Sequence, residues 1–197
     1  MSLLIKICGL RDERHVATAV EAGAGALGFV FAESPRMVTP ELARAISTAV
    51  PRYVKRVAVM LHPANDEWQR VLARFEPDVL QTDAEDFGSL EIPASVERWP
   101  VYREGQSRPA AAGTWVYEGL NSGRGETVDW SAAAGLARSG GMILAGGLGP
   151  GNVATAIRRV RPSGVDVSSG VESAPGQKST RLIKEFIRAA RAAEKEL

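Results

Sequence analysis

Eight short runs of β-branched and other apolar residues, separated by segments with helical patterning, constrain the fold of this 197-residue chain more than any other feature. Regular alternation of strand and helix is typical of βα units around a parallel sheet. Eight strands favour a closed (βα)8 barrel of the α/β class over an open doubly wound sheet, which usually has about five or six. We therefore expect residues 1–197 to form a single, small barrel domain. The runs lie at 4–8, 26–31, 56–61, 79–82, 99–103, 115–118, 142–145 and 164–167.

Helical patterns follow seven of these eight runs. One covers residues 39–50, where Thr39 suits the cap position and Pro40 the first turn, and two more cover 149–161 and 180–197. Only residues 104–114 separate the fifth and sixth runs, and a crossover with its helix usually needs at least about 10–12 residues. We therefore expect the fifth helix to be shortened or replaced by a loop.

Composition argues against several classes of function. Lys and Arg total 24 against 23 Asp and Glu, so the net charge of +1 is too small to steer a nucleic acid. No apolar run approaches the length that spans a bilayer, so we expect a cytoplasmic protein without membrane association. One cysteine and two histidines, His15 and His62, cannot build a thiolate metal cluster, so no metal site is expected and both histidines are interpreted as solvated or structural.

Two glycine-rich segments follow the seventh and eighth strands. The seventh breaks into Gly146 and Gly147, and the eighth into Ser168, Ser169 and Gly170. Glycine lets the main chain approach a ligand closely, and main-chain amides and hydroxyls donate hydrogen bonds to a phosphate. Either segment alone could simply make a tight turn, but barrel phosphate sites often occupy these two loops. Together they predict a sugar-phosphate site.

Reactive groups of such a barrel lie at the carboxyl ends of its strands. Cys8 ends the first strand, and it is either a buried structural residue or a base or nucleophile whose pKa a cation or main-chain amide dipoles lower. Lys6, Arg11 and Arg36 are the candidate cations. Three further polar residues meet the same positional test, namely Gln81, Arg103 and Glu118.

The positions of Arg36 and Glu118 suggest roles for both residues. Arg36 lies on the loop after the second strand, where it is either a surface residue or a bidentate ligand for a substrate carboxylate. Glu118 ends the sixth strand, across the ring from Cys8, so the two could flank one substrate as acid and base. Asp129 precedes a helical run and is better interpreted as a helix cap.

With these positions identified, the chain resembles the phosphoribosylanthranilate isomerases, which are TIM-barrel enzymes of tryptophan biosynthesis. The likeness covers nearly the whole length, and it rests on the segments KICGL at 6–10, GFVF at 28–31 with SPR at 34–36, GGL at 146–148 and GVDVSSGVE at 164–172.

The resemblance implies an Amadori rearrangement of N-(5-phosphoribosyl)anthranilate to 1-(2-carboxyphenylamino)-1-deoxyribulose 5-phosphate. It implies that Cys8 removes the C2′ proton, that Glu118 protonates the ring oxygen and that Arg36 holds the anthranilate carboxylate. Gln81 and Asp166 would contact the substrate, and the glycine and serine segments would hold its phosphate. It further implies that no cofactor or metal is needed, that the partner is a small phosphorylated substrate, and that the protein is a monomer or weak homodimer.

Two departures from the family pattern stand out. The usual acid is an aspartate, where this chain has Glu118, and the usual Gln-Leu-His-Gly after strand four is replaced by Gln81-Thr82-Asp83-Ala84. Two alternatives therefore stay open. One is the related aldose–ketose isomerase of histidine biosynthesis, or an enzyme for both substrates; the other is a barrel that binds a sugar phosphate without catalysis.

Overall fold

Eight parallel strands form a closed barrel in a computed structural model that describes residues 2–106, 113–119 and 127–197. The strands follow one another around the ring in chain order, and β1 pairs with both β2 and β8 to close it. The predicted (βα)8 architecture is confirmed. The strands are β1 Leu4–Cys8, β2 Ala26–Val30, β3 Lys55–Val59, β4 Val79–Asp83, β5 Glu97–Arg103, β6 Trp115–Glu118, β7 Met142–Leu144 and β8 Gly164–Val167.

Six α-helices pack around the barrel within the described residues, and none of them is long and apolar enough to cross a membrane. A 3₁₀ turn, Ala84–Gly88, follows β4. The expectation of helices after seven strands is thus wrong for the fourth unit, where Gly88 and Pro93 interrupt the segment before β5. The helices are α1 Glu13–Ala22, α2 Pro40–Ile46, α3 Asn65–Phe75, α4 Trp130–Ala137, α5 Val153–Val160 and α6 Thr180–Glu194.

The fifth connection was expected to lack a full helix. It comprises residues 104–114, of which 107–112 lie outside the described residues. The shortening of this helix therefore stays a prediction.

Helix boundaries follow local chemistry. Thr39 caps α2 as predicted, because its hydroxyl accepts a hydrogen bond from the Leu42 amide at 3.2 Å. The predicted start of α5 at residue 149 is four residues early, since the Gly149 amide donates to the Asn152 side chain instead of entering the helix.

Apolar side chains form two layers, one inside the barrel and one between strands and helices. Strand side chains alternate between the layers, so that Ile5 and Ile7 of β1 join the outer core while Lys6 and Cys8 occupy the alternate, inward positions. This alternation directs the last inward residue of each strand toward the barrel mouth. The inner core comprises Ala26, Val57, Val79, Trp99, Val101, Val116, Ile143 and Ala145.

The last helix fastens the first strand. Arg191 of α6 donates to the Leu3 carbonyl at 2.7 Å and to the Gly23 carbonyl at 3.0 Å. Glu194 accepts a hydrogen bond from the Leu3 amide at 2.6 Å. These contacts tie α6 to the chain on both sides of α1.

Replacing Thr39 by Ala should lower the free energy of unfolding by about 1 kcal/mol, because the Leu42 amide loses its capping acceptor. Urea denaturation monitored by circular dichroism measures this. Thr48→Ala is the matched control, since the exposed Thr48 hydroxyl only donates to carbonyls at the end of α2 and should contribute within about 0.5 kcal/mol. Equal effects of both substitutions would contradict the capping role.

Candidate active site

A cavity of about 870 Å³ opens at the carboxyl ends of the strands. It brings together most of the residues predicted from sequence, including the proposed base and acid on opposite parts of the ring. Gly146, Gly147 and Gly170 are not among its lining residues. The predicted residues that line it are Cys8, Arg36, Gln81, Arg103, Glu118, Asp166, Ser168 and Ser169.

The Cys8 thiol depends on a glycine of the neighbouring strand for its space. Cys8 and Gly28 are register partners on β1 and β2, and a Cβ at Gly28 would come within 2.7 Å of the Cys8 Sγ. Any other residue at position 28 would collide with the thiol. The Cys8 side chain therefore fits only when position 28, the first residue of the GFVF segment, is glycine.

A buried ion pair lies beside the thiol. The Lys6 ammonium, which is fully buried, contacts Asp166 Oδ2 at 2.9 Å. Burial opposes the charge on Lys6, but Asp166 and the Cys8 thiolate hold the pKa of Lys6 above its ordinary value. Burial raises the pKa of the Cys8 thiol, and the positive charges of Lys6 and Lys178 partly offset that rise.

Of the three cations considered for Cys8, Lys6 most strongly opposes the rise in the pKa of the thiol, but burial outweighs it, so the expectation that a cation lowers the pKa of Cys8 is wrong. Arg11 donates instead to the Pro35 carbonyl at 3.0 Å. Lys178 was missed by sequence reasoning, because it belongs to a two-residue strand with no strand-like run around it.

A hairpin after β8 carries a buried carboxylate that gathers two cations. Its strands are β9 Glu172–Ala174 and β10 Gln177–Lys178, and Glu172 and Lys178 are register partners. Glu172 Oε1 lies 2.7 Å from the Lys178 Nζ and 2.7 Å from the Arg36 Nε, while its Oε2 lies 2.9 Å from the Arg36 Nη2. Burial opposes the charge on Glu172, but hydrogen bonds from Arg36 and Lys178 hold its pKa below the ordinary value.

This hairpin fixes Arg36 from one side. The guanidinium uses Nε and Nη2 for Glu172, and it lines the cavity on the loop after β2. A Cβ at Gly9 would come within 2.7 Å of the Arg36 Cδ, so the left-handed Gly9 leaves room for the arginine stem. Arg36 is thus held in one orientation at the cavity wall.

Two buried acceptors of the cavity lining have no hydrogen-bond donor in the described part of the chain. They are the Gln81 Oε1 and the Asp166 Oδ1. Both residues are more than nine-tenths buried. Since buried acceptors are normally satisfied, these two atoms are suited to accept hydrogen bonds from a ligand.

The loops after β7 and β8 pack directly on each other. A Cβ at Gly170 would lie 1.9 Å from the Leu148 carbonyl oxygen, so only glycine permits this approach. Gly146 and Gly147 both adopt positive φ angles, and their main-chain N–H groups donate no hydrogen bond among the described residues. These amides, with the hydroxyls of Ser168 and Ser169, are the candidate donors for a phosphate.

Glu118 lies across the cavity, in contact with a second chain of charges. Arg103 of β5 places its Nη2 at 3.5 Å from Glu118 Oε1 and its Nη1 at 2.7 Å from Asp83 Oδ1. Asp83 Oδ2 in turn lies 3.2 Å from the His62 Nε2. Burial raises the pKa of Asp83, and Arg103 and His62 oppose that rise.

The remaining titratable candidates lie elsewhere. Asp129 caps α4 by accepting a hydrogen bond from the Ser131 amide at 2.7 Å, which confirms its interpretation as a cap. His15 contacts the side chain of Asp12. His62 is not merely solvated, since it also pairs with Asp86 at 3.0 Å.

His62, Asp83 and Asp86 have the residue types of a metal site. Their ligand atoms lie within 4.8 Å of one another. Both ring nitrogens of His62 are, however, directed at the carboxylates, and Arg103 already supplies a cation to Asp83. The cluster is satisfied as a network of ion pairs.

Comparison with known proteins agrees with this geometry. The family model described as N-(5'phosphoribosyl)anthranilate (PRA) isomerase matches residues 5–189. The N-(5'-phosphoribosyl)anthranilate isomerase of Bordetella pertussis is 39% identical over 209 residues, which cover 96% of each chain.

Solved structures give the same result. A crystal structure of phosphoribosyl anthranilate isomerase in complex with reduced 1-(o-carboxyphenylamino)-1-deoxyribulose 5-phosphate has a TM-score of 0.77 and 29% identity, covering 97% of this chain and all of the other. Monomers of the dimeric Thermotoga maritima enzyme give a TM-score of 0.79 and 30% identity, with 97% and 100% covered. From the extent of these matches, the chain belongs to the N-(5'-phosphoribosyl)anthranilate isomerase family.

Proposed function

We propose that this protein catalyses the Amadori rearrangement of N-(5-phosphoribosyl)anthranilate to 1-(2-carboxyphenylamino)-1-deoxyribulose 5-phosphate, a step of tryptophan biosynthesis. The observation that carries the proposal is one cavity lined by Cys8 and Glu118, next to the loops that carry the phosphate-binding pattern. Family membership gives this arrangement its chemical context.

The reaction needs an acid and a base on opposite sides of the ribose. Glu118 gives its proton to the ring oxygen as the bond from C1′ to that oxygen breaks, and the substrate nitrogen lone pair forms the Schiff base. The Cys8 thiolate then takes the proton from C2′, and the electron pair returns to the nitrogen through the new C1′–C2′ double bond. The resulting enolamine tautomerises to the ketose.

Binding contacts surround the reacting atoms. The Gln81 and Asp166 oxygens that lack donors are suited to the ribose hydroxyls and the bridging N–H. Arg36 would hold the anthranilate carboxylate with the part of its guanidinium that Glu172 does not occupy. The Gly146, Gly147, Ser168, Ser169 and Gly170 loops would hold the phosphate.

The histidine-pathway isomerisation is less well supported. That chemistry usually uses aspartates at strands one and six, and this chain has Cys8 and Glu118 there. A barrel that binds without catalysis is the other alternative. Binding of a product analogue without turnover would favour it.

Several expectations accompany this function. Residues 1–197 would form a single domain, working in the cytoplasm as a monomer or weak homodimer without nucleic acid. Dimeric relatives such as the Thermotoga maritima enzyme make the oligomeric state a question for sedimentation.

Cys8→Ser and Glu118→Gln should each lower kcat by at least about a hundredfold, the usual contribution of a general acid or base. Turnover is followed by the fluorescence change of the anthranilate substrate. Asp129→Asn is the matched control, because this carboxylate caps α4 and should leave kcat nearly unchanged. Near-normal turnover of both Cys8→Ser and Glu118→Gln would refute the assignment.

The residual rate of Glu118→Gln should rise with pH. Burial raises the pKa of Cys8, so the neutral thiol dominates at neutral pH and each increase in pH produces more thiolate base. We expect kcat/KM of this variant to rise throughout about pH 7 to 9, by up to about tenfold per unit. A flat profile, or the same rise in a Cys8→Ser/Glu118→Gln double variant, would argue against a cysteine base.

Gly170→Ala should raise KM for the phosphorylated substrate by about tenfold or more, since the new Cβ would force the Leu148 carbonyl and the loop after β7 away. Gly151 lies on the loop after β7, and a Cβ there would meet nothing within 4 Å. Gly151→Ala is therefore the matched control and should leave KM unchanged. Steady-state kinetics and inhibition by inorganic phosphate test the pair. Equal KM values for both variants would exclude these loops as the phosphate site.

A further inference from the structure

Arg103 links two of the positions at which this chain departs from the family pattern. Asp83 stands where the pattern has histidine, and Glu118 stands where it has aspartate. Arg103 contacts both, with 2.7 Å from Nη1 to Asp83 Oδ1 and 3.5 Å from Nη2 to Glu118 Oε1. These two substituted carboxylates thus meet at one guanidinium.

The orientation of Arg103 is set by its surroundings. Arg103 and Glu118 are register partners on β5 and β6, so their side chains leave the barrel rim side by side. The Arg103 main-chain amide donates a hydrogen bond to the Gln106 Oε1 at 2.7 Å, which fixes the backbone at the end of β5. The three side chains Asp83, Arg103 and Glu118 are each less than one-fifth exposed.

Asp83 is itself held from a second side. Its Oδ2 pairs with His62 at 3.2 Å, and His62 pairs with Asp86 at 3.0 Å. The Thr82 hydroxyl donates to the other oxygen of Asp86. A rigid carboxylate is therefore available to aim the arginine.

A glutamate acid needs such an orienting partner more than an aspartate does. Its side chain has one more rotatable bond and extends the carboxyl by about 1.5 Å, so it can point to more positions around the cavity. A misplacement of about 1 Å can reduce a rate by about a hundredfold.

We propose that Arg103, aimed by Asp83, is a positioning residue that orients the Glu118 carboxyl for proton transfer to the ring oxygen. This inference rests on the proposed function. It concerns how the acid is placed and assigns no chemical step to Arg103 itself.

The experiment is a double-mutant cycle between Arg103 and Glu118. Arg103→Met should lower kcat by about ten- to a hundredfold while changing KM less than about threefold, because orientation and not affinity is lost. In the Glu118→Gln background the same substitution should lower kcat by less than about twofold, since no acid remains to be oriented. Arg103→Lys should recover part of the loss.

Arg56→Met is the matched control. Arg56 also lies on a strand and pairs with an aspartate, Asp78, at 3.3 Å, but it belongs to the opposite end of the barrel. This variant should keep both kinetic parameters. Thermal unfolding of each variant separates a loss of stability from a loss of rate. If Arg103→Met does not fold, Asp83→Asn in the unmodified protein and in Glu118→Gln provides the same test.

The outcomes separate the two proposals. Equal loss of kcat in both backgrounds would overturn the positioning role, and a change confined to KM would show instead that Arg103 binds substrate. Absence of turnover by the unmodified protein would overturn the proposed function and this inference together. Turnover by the unmodified protein with an additive cycle would overturn this inference alone.

Discussion

The buried ion pair between Lys6 and Asp166 joins the two strands that close the barrel. The two residues are register partners on the strands that close the barrel, and both point inward. Removing one member of such a buried pair usually destabilises a protein by about 3–5 kcal/mol, because the other charge is left without a partner. The pair therefore fixes the register of the closing seam. With that register set, the Ser168 hydroxyl reaches the Cys8 carbonyl at 3.2 Å, and the phosphate loop begins beside the cysteine.

The barrel rim carries two separate networks of charge around one cavity. Around Cys8 the network is rich in cations, with Lys6 and Lys178 favouring the thiolate against the effect of burial. Around Glu118 it is a row of alternating charges contributed by the ends of successive strands. Because a base needs its negative form and an acid its neutral form, the two halves of the ring require different surroundings. The closed parallel barrel places both networks at the rim of one cavity.

The sequence was most informative where one residue determines a local structure. Strand ends, the Thr39 cap and the Asp129 cap could be predicted because each depends on neighbours within a few residues. The position of Cys8 at the rim followed from the end of its strand. The role of its neighbours did not, because Gly28 and Lys178 approach it from other strands, and their approach depends on register and side-chain direction. Arg103 was identified as a rim residue, but its pairing with Asp83 and Glu118 required the packed structure.

The contacts between α6 and the start of β1 have a consequence for the order of folding. Lys6 and Asp166 are 160 residues apart in the sequence. Leu3 forms hydrogen bonds with Arg191 and Glu194, which are 188 and 191 residues away. A ribosome releases the first strand long before its closing partners exist, so an apolar strand edge stays exposed through most of synthesis. Closure is then a late, long-range event, which is characteristic of slow folding. The same contacts that stabilise the finished barrel thus make β1 dependent on β8 and α6.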